Sequence, residues 1–172
     1  PLIGTEPSAI LSFRDEYPEL VGENYLEQSR NIARNALMLE EYILSLLDKG
    51  MIASEDFTDK PLQIKLHGHC QQKALTGTVA TLKMLSIPKN YSVSEIASGC
   101  CGMAGSFGYE KEHYELSMKV GELVLFPEIR NSDEKTVIVA PGTSCRHQIK
   151  DGTGTVSVHP VEIIYDALLK KK

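Results

Sequence analysis

The stretch that most constrains this 172-residue chain is residues 97–109, which read Ala-Ser-Gly-Cys-Cys-Gly-Met-Ala-Gly-Ser-Phe-Gly-Tyr. Adjacent thiols such as Cys100 and Cys101 rarely bond each other, because the ring they would close is strained. A shared inorganic partner is therefore the first interpretation. Glycine permits positive φ, so Gly99 and Gly102 can turn backbone N–H groups toward an anionic metal centre. A glycine-rich turn with two buried cysteines is the alternative.

The other two cysteines, Cys70 and Cys145, each follow a short apolar run that is typical of a strand and precede a helix-like run. The strand-like runs are residues 62–66 and 136–140, and a third run, 93–97, leads into the paired cysteines. Open α/β sheets build their sites at the carboxyl ends of strands. The sequence therefore predicts an α/β fold, with a parallel sheet flanked by helices on both faces and all four cysteines in one crevice.

Two histidines, His67 and His69, follow the first of these strands and precede Cys70. His69 adjoins the cysteine and is a candidate cofactor-binding residue, with a hydrogen bond to loop backbone as the alternative. For His67 the backbone hydrogen bond is the preferred interpretation. The helix expected after Cys70 can stabilise a thiolate there through its dipole.

Several blocks of the sequence carry a family resemblance that runs nearly end to end: residues 4–8, 14–17, 69–74, 98–109 and 140–146. They resemble the cysteine-rich domain of iron–sulfur oxidoreductases known by its Cys-Cys-Gly motif as the CCG domain. That family includes the heterodisulfide reductase B-like proteins and the iron–sulfur subunit of glycolate oxidase. The resemblance is strongest to the C-terminal region of FAD-linked dehydrogenases that act on D-2-hydroxy acids, of the D-lactate type.

The resemblance implies a Rossmann-like domain whose four cysteines, Cys70, Cys100, Cys101 and Cys145, hold an iron–sulfur cluster of the [4Fe–4S] type. It implies that the cluster receives electrons from an FAD-containing dehydrogenase domain of the same protein, which oxidises a 2-hydroxy acid. A quinone or another electron carrier would accept them. The chain would then transfer electrons without being catalytic by itself. No dinucleotide-binding fingerprint follows a strand in this sequence, so FAD would bind outside it.

Two positions depart from the family pattern. Gln148 stands where the last motif has its fifth cysteine, and Ala9 stands where relatives carry a cysteine after Pro-Ser. The resemblance also implies a duplication, in which residues 1–59 are the C-terminal part of a first CCG-like unit. Residues 60–172 are then the second, cysteine-rich unit. Since no cysteine precedes the second unit, we expect a single metal site.

Two other functions stay open at this point. Four thiolates, or three thiolates with His69, suit a structural zinc ion, although the close Cys-x-x-Cys pairs usual in such sites are absent. A thiol–disulfide redox domain is the other option. It would need a pair such as Cys70 and Cys145 within disulfide distance and a cation that lowers one thiol pKa.

Composition narrows the function classes further. The net charge of −5 leaves no electrostatic footprint for nucleic acid, and the one basic cluster, residues 170–172, reads as a solvated tail. No apolar run approaches the roughly 20 residues of a membrane span. Cysteines this far apart fit a reducing compartment better than a secreted disulfide scaffold.

We expect a cytoplasmic location, with peripheral attachment to the inner face of the membrane as a further option. Because the sequence opens on Pro1, we also expect a piece of a longer protein.

Hydrophobic periodicity and breaker residues predict the remaining elements. The predicted helices are residues 9–16, 24–48, 71–85, 109–126, a helix that starts near Cys145, and 161–169. Ile32 and Leu123 should face the core, and Pro127 should end the fourth helix. Thr143 or Ser144 could cap the fifth helix, and Pro160 suits the first position of the last. The predicted strands beyond the three named above are residues 2–6 and 155–158.

Overall fold

A computed structural model describes residues 1–169 of the chain, and the lysine tail predicted at 170–172 lies outside this range. The strands within it are β1 (Leu2–Gly4), β2 (Ala36–Met38), β3 (Leu62–Leu66), β4 (Tyr91–Glu95) and β5 (Thr136–Val139). The α-helices are α1 (Pro7–Ile10), α2 (Glu16–Leu20), α3 (Leu26–Asn35), α4 (Leu39–Asp48), α5 (Cys70–Leu75), α6 (Val79–Leu85), α7 (Tyr114–Glu122), α8 (Leu125–Arg130), α9 (Thr143–Thr153) and α10 (Pro160–Ala167).

The strands form two parallel sheets. The larger has the order β4-β3-β5, with Ile64 of β3 opposite Val93 on one side and Val137 on the other. The smaller pairs β1 with β2. The three strands that we predicted to precede the cysteines therefore lie in one parallel sheet, and the α/β prediction is confirmed.

Side chains alternate between the two faces of the larger sheet, as strand geometry requires. Ile64 and Leu66 of β3 pack on one face in a cluster with Leu85 of α6 and Ile163 of α10. The opposite face is covered by α8 and α9, in a second cluster that includes Ile138 of β5. Helices thus cover both faces, as the sequence predicted.

The long helix predicted over residues 24–48 is wrong. It is interrupted by β2, whose Ala36 pairs with Leu2 of β1 and is fully buried. Ile32, which the helical stripe placed in the core, is 42% exposed. Local periodicity could not reveal this break, because the partner strand lies more than thirty residues earlier in the chain, at Leu2–Gly4.

Two other predicted helices are also divided. The helix predicted over 71–85 is split into α5 and α6 at Gly77, which adopts a left-handed φ of 71°. The helix predicted over 109–126 begins later, as α7, and Leu123 at its end is 77% exposed although we predicted it inward. Pro127 does not stop a helix but lies in the first turn of α8, where no intrahelical N–H is needed.

The predicted strand 155–158 is reduced to a single parallel bridge between Val139 and Val158. The final helix begins at Pro160, the position that favours proline, as predicted. Within residues 1–169 no helix combines the length and the apolar character that crossing a membrane requires.

Candidate metal centre

The carboxyl ends of the three strands in the larger sheet carry all four cysteines. Cys70 is the first residue of α5, which follows β3, and Cys145 lies in the first turn of α9, which follows β5. Cys100 and Cys101 lie in the irregular loop that follows β4. Because parallel strands end at the same edge of a sheet, these loops meet there.

The structure brings the four thiols together as a continuous group. Cys70 interacts with Cys100, Cys100 with Cys101, and Cys101 with Cys145, and each pair is close enough to shift the pKa of its members. All four cysteines are free. Cys101 and Cys145 are almost fully buried, whereas Cys70 and Cys100 are half-buried. The group therefore has an inner end in the core and an outer end near solvent.

The pKa values of the four thiols are raised and lowered in turn along this group. Hydrogen bonds from Cys101 and then Cys70 lower the pKa of Cys100, and a hydrogen bond from Cys101 does most to lower the pKa of Cys145. The pKa values of Cys70 and Cys101 are raised, mainly because each is hydrogen-bonded to Cys100. Two thiolates are thus favoured before any metal arrives, and metal binding would displace the protons of the other two thiols.

The sequence predicted that Gly99 and Gly102 turn backbone N–H groups toward the site. The structure shows this geometry at Gly102 only. Gly102 adopts a φ of 104° and its N–H donates to Cys100 Sγ at 3.3 Å. A Cβ at Gly102 would lie 2.1 Å from the carbonyl oxygen of Ser117. Gly99 instead has open space around its Cα, and its carbonyl oxygen accepts a hydrogen bond from Lys73 Nζ at 2.8 Å. A cofactor-binding role for these two glycines stays a prediction.

His67 is the residue whose position the sequence interpretation missed. Its side chain is completely buried and its Nδ1 lies 2.8 Å from Ser98 Oγ, so it does not bind loop backbone as we expected. One ring nitrogen of His67 and the Sγ atoms of Cys101 and Cys145 all lie within 4.8 Å of one another. The only sequence signal was its place directly after β3.

His69 makes a hydrogen bond to loop backbone, which was one of the two interpretations that the sequence left open. Its Nδ1 accepts a hydrogen bond from the N–H of Gln71 at 3.3 Å and so caps α5. Its ring also borders the site, because a Cβ built on Gly142 would lie 2.5 Å from the ring and 3.1 Å from Cys145 Sγ. A ligand role for His69 stays a prediction.

The N-terminal part of the chain also contacts the site. The carboxylate of Glu6 accepts hydrogen bonds from the N–H and the hydroxyl of Thr143, both at 2.9 Å. We expected Thr143 or Ser144 to cap α9, but the cap is this carboxylate, which suits the positive end of the helix dipole. Glu6 thereby anchors the first turn of the helix that carries Cys145.

This chain is similar to a segment of two kinds of dehydrogenase. It is 30% identical over 169 residues to the D-2-hydroxyglutarate dehydrogenase of Escherichia coli (strain K12), a match that covers 98% of this chain and 16% of that protein. Over 168 residues it is 27% identical to one subunit of the anaerobic glycerol-3-phosphate dehydrogenase of the same strain, covering 98% and 40% of the two chains. The D-2-hydroxyglutarate dehydrogenase of Pantoea ananatis (strain AJ13355) is 27% identical over 178 residues, covering 98% of this chain and 16% of that protein.

No protein-family model matches the chain, and no solved structure matches it. The chain spans about a sixth of the D-2-hydroxyglutarate dehydrogenases and two fifths of the glycerol-3-phosphate dehydrogenase subunit. Nearly all of it is thus related to part of a larger oxidoreductase.

Proposed function

We propose that this chain is an iron–sulfur electron-transfer domain of a larger FAD-linked oxidoreductase. The observation that carries the proposal is the convergence of Cys70, Cys100, Cys101 and Cys145 on one edge of the sheet, as a continuous group of free thiols. Cysteine thiolates are the usual ligands of iron–sulfur clusters. The similarity to dehydrogenases of a hydroxy acid and of a phosphorylated polyol supports a redox role.

The donor set fits such a group. At the core-facing end of the site, Cys101, Cys145 and a ring nitrogen of His67 lie within 4.8 Å of one another, and Cys70 and Cys100 complete the donor set toward solvent. The Gly102 N–H already donates to a sulfur, which is how proteins tune the potential of a cluster. When bound, a cluster would supply one-electron acceptance and release.

The chain's own residues would hold the cluster, shield it from water and leave one side of it accessible. Cys101 and Cys145 lie in the apolar cluster formed by α8, α9 and β5, which excludes water from the inner end. Cys100 borders a cavity of about 110 Å³ that is also lined by Val120 and Leu123. Electrons would enter or leave most readily at this outer end.

The remaining partners belong to the rest of the protein. An FAD-containing dehydrogenase domain would donate the electrons after oxidising a 2-hydroxy acid, and a quinone or another carrier would accept them. The similarity to much longer dehydrogenases supports this arrangement. It also supports the view that the chain needs those parts for catalysis.

The test is the metal content of anaerobically purified, iron-reconstituted protein. We expect a brown protein with about four irons and matching sulfide per chain, whose visible absorbance bleaches on reduction. Replacing any of the four cysteines by serine should strongly reduce iron content. Gln148→Ala is the matched control, because its side chain binds Ser117 and not the thiols. A colourless protein with no bound iron would overturn the proposal.

A structural zinc site is the second candidate. It is favoured by the nearness of a His67 nitrogen to Cys101 and Cys145, since zinc combines imidazole and thiolate ligands. One zinc per chain that iron reconstitution cannot replace would support it. A thiol–disulfide role through Cys70 and Cys145 is less well supported, because hydrogen bonds join each of them to the paired cysteines and not to each other.

A further inference from the structure

We propose that His67 is a direct ligand of the metal in this site, so that the centre is a mixed imidazole–thiolate centre and not an all-cysteine one. The inference deepens the proposed function, on which it rests only for the presence of a metal at this site. It starts from a buried atom without an oxygen or nitrogen partner among the described residues: His67 is 0% exposed, its Nε2 makes no such hydrogen bond, and its ring interacts instead with the Cys145 thiol. A buried polar nitrogen left unpaired is costly, so such an atom calls for an explanation.

The position of the ring points to a metal as that partner. His67 offers a ring nitrogen within 4.8 Å of both Cys101 Sγ and Cys145 Sγ. These three side chains are also the buried end of the site. Donor atoms at such mutual separations can share one ion, since zinc–sulfur and zinc–nitrogen bonds are about 2.3 and 2.1 Å long. Within residues 1–169, no other group of His, Cys, Asp or Glu side chains meets in this way.

A ligating histidine usually has its second ring nitrogen hydrogen-bonded to an outer partner, and His67 Nδ1 has such a partner. Nδ1 lies 2.8 Å from Ser98 Oγ, which can accept its proton and leave the lone pair of Nε2 free. Ser98 is itself fixed, because its carbonyl oxygen accepts a hydrogen bond from Lys73 Nζ at 2.7 Å. The chain therefore holds the orientation that metal binding needs, and Ser98 is compatible with the tautomer that leaves Nε2 free.

The other candidates for an additional donor are less well placed. The amide of Gln148, at the position of the missing family cysteine, donates to Ser117. His69 uses Nδ1 to cap α5 and is partly exposed, so its Nε2 is not a buried nitrogen without a partner as that of His67 is. A fifth donor is thus supplied from the end of β3, at His67, and not from α9, where the family pattern places it.

The test is Co²⁺ binding to the complete, reduced, metal-free chain labelled with ¹⁵N-histidine. Cobalt reports its ligands through its visible spectrum, and pulsed EPR detects a directly bound ¹⁵N. We expect a histidine nitrogen coupling in the wild type that disappears in His67→Gln, with at least about a tenfold loss of Co²⁺ affinity. His69→Gln tests the other histidine beside the site: if the nitrogen coupling disappears in this variant and persists in His67→Gln, the bound nitrogen belongs to His69 and the inference is wrong.

A second variant tests the inference without touching the ring. Ser98→Ala removes the hydroxyl that faces Nδ1, and should weaken Co²⁺ binding about tenfold while His67 stays in place. Ser98→Ala keeps the inference testable if the His67→Gln variant does not fold. Circular dichroism would reveal such a folding failure. Unchanged Co²⁺ affinity in Ser98→Ala counts against the inference.

The outcomes separate this inference from the proposed function. A nitrogen coupling from His67 to Co²⁺, without iron–sulfur assembly, would keep the ligand and overturn the cluster. A cluster with the same spectrum in His67→Gln and the wild type would overturn the ligand and keep the cluster. The inference also fails if the wild type shows no nitrogen coupling, or binds no Co²⁺ at all.

Discussion

Gln148 of α9 donates two hydrogen bonds from its side-chain Nε2 to Ser117 of α7, to the carbonyl oxygen at 3.2 Å and to the hydroxyl at 2.9 Å. Both residues are buried. The position where the family resemblance places a fifth cysteine therefore joins two helices. The same carbonyl oxygen of Ser117 is the atom that approaches Gly102, so this contact also supports the loop that carries the paired cysteines.

Replacing Gln148 by alanine should lower stability and leave metal content unchanged. The variant loses both hydrogen bonds to Ser117, so we expect the free energy of unfolding to fall by about 1–3 kcal/mol. Urea unfolding and metal analysis of the same preparation provide the measurement. Ser117→Ala, which removes only the hydroxyl partner, should have a smaller effect. Loss of metal from a folded Gln148→Ala protein would instead make Gln148 part of the site.

Gly102 and Gly99 should respond oppositely to the same substitution. Gly102→Ala imposes a side chain at a φ of 104° and 2.1 Å from the Ser117 carbonyl oxygen, so backbone must shift. We expect a loss of about 1–3 kcal/mol in unfolding free energy and reduced metal content. Gly99→Ala is the matched control, because nothing lies within 4 Å of its added Cβ. Equal behaviour of the two variants, by thermal melting and metal analysis, would refute the assigned role of Gly102.

The sheet and the meeting of the cysteines were predictable because both follow from local patterns. β3 and β5 are short runs rich in apolar and β-branched residues, and each stops just before a helix that carries a cysteine. Parallel pairing then fixes the edge at which the loops gather. No knowledge of side-chain contacts is needed for that step.

The remaining features depend on contacts between distant parts of the chain. Ala36 fits a helical stripe as well as a strand, and only its pairing with Leu2 decides between them. The roles of His67 and His69 are likewise set by tertiary neighbours, Ser98 for one and Gly142 for the other. Spacing alone gave no reason to expect His67, rather than His69, beside Cys101 and Cys145.

Cys100 should be the most reactive thiol of the metal-free protein. Its pKa is lowered by hydrogen bonds from Cys101 and Cys70, and thiolates are the reactive form. At pH 7 we expect iodoacetamide to alkylate Cys100 at least about ten times faster than Cys70, which is equally half-buried but has a raised pKa. Peptide mass mapping at low conversion gives the rates. Faster labelling of Cys70, or no protection of Cys100 by bound metal, contradicts this arrangement.

A buried acid lies away from the thiols, where Glu40 of α4 meets α5 and α6. Its Oε1 accepts hydrogen bonds from Thr81 Oγ1 at 2.6 Å and from Gln72 Nε2 at 3.2 Å. The carboxyl is almost fully buried, and desolvation raises its pKa above the ordinary value of 4.5, against the opposing effect of the Thr81 hydrogen bond. The ionised form is thus disfavoured in the folded chain.

Glu40→Gln should therefore stabilise the metal-free protein at neutral and alkaline pH. A carboxyl whose pKa is raised on folding holds its proton more tightly in the folded state, so its contribution to stability falls as pH rises from about 4.5 through the folded pKa. Glutamine keeps the accepting oxygen and cannot ionise. In urea unfolding we expect a gain of about 1 kcal/mol at pH 8 that shrinks toward zero at pH 4. Glu41→Gln is the matched control, because it breaks the ion pair with Arg14 and should not stabilise the chain. A gain that is independent of pH, or a loss at pH 8, would mean that burial of the Glu40 charge is not the cause.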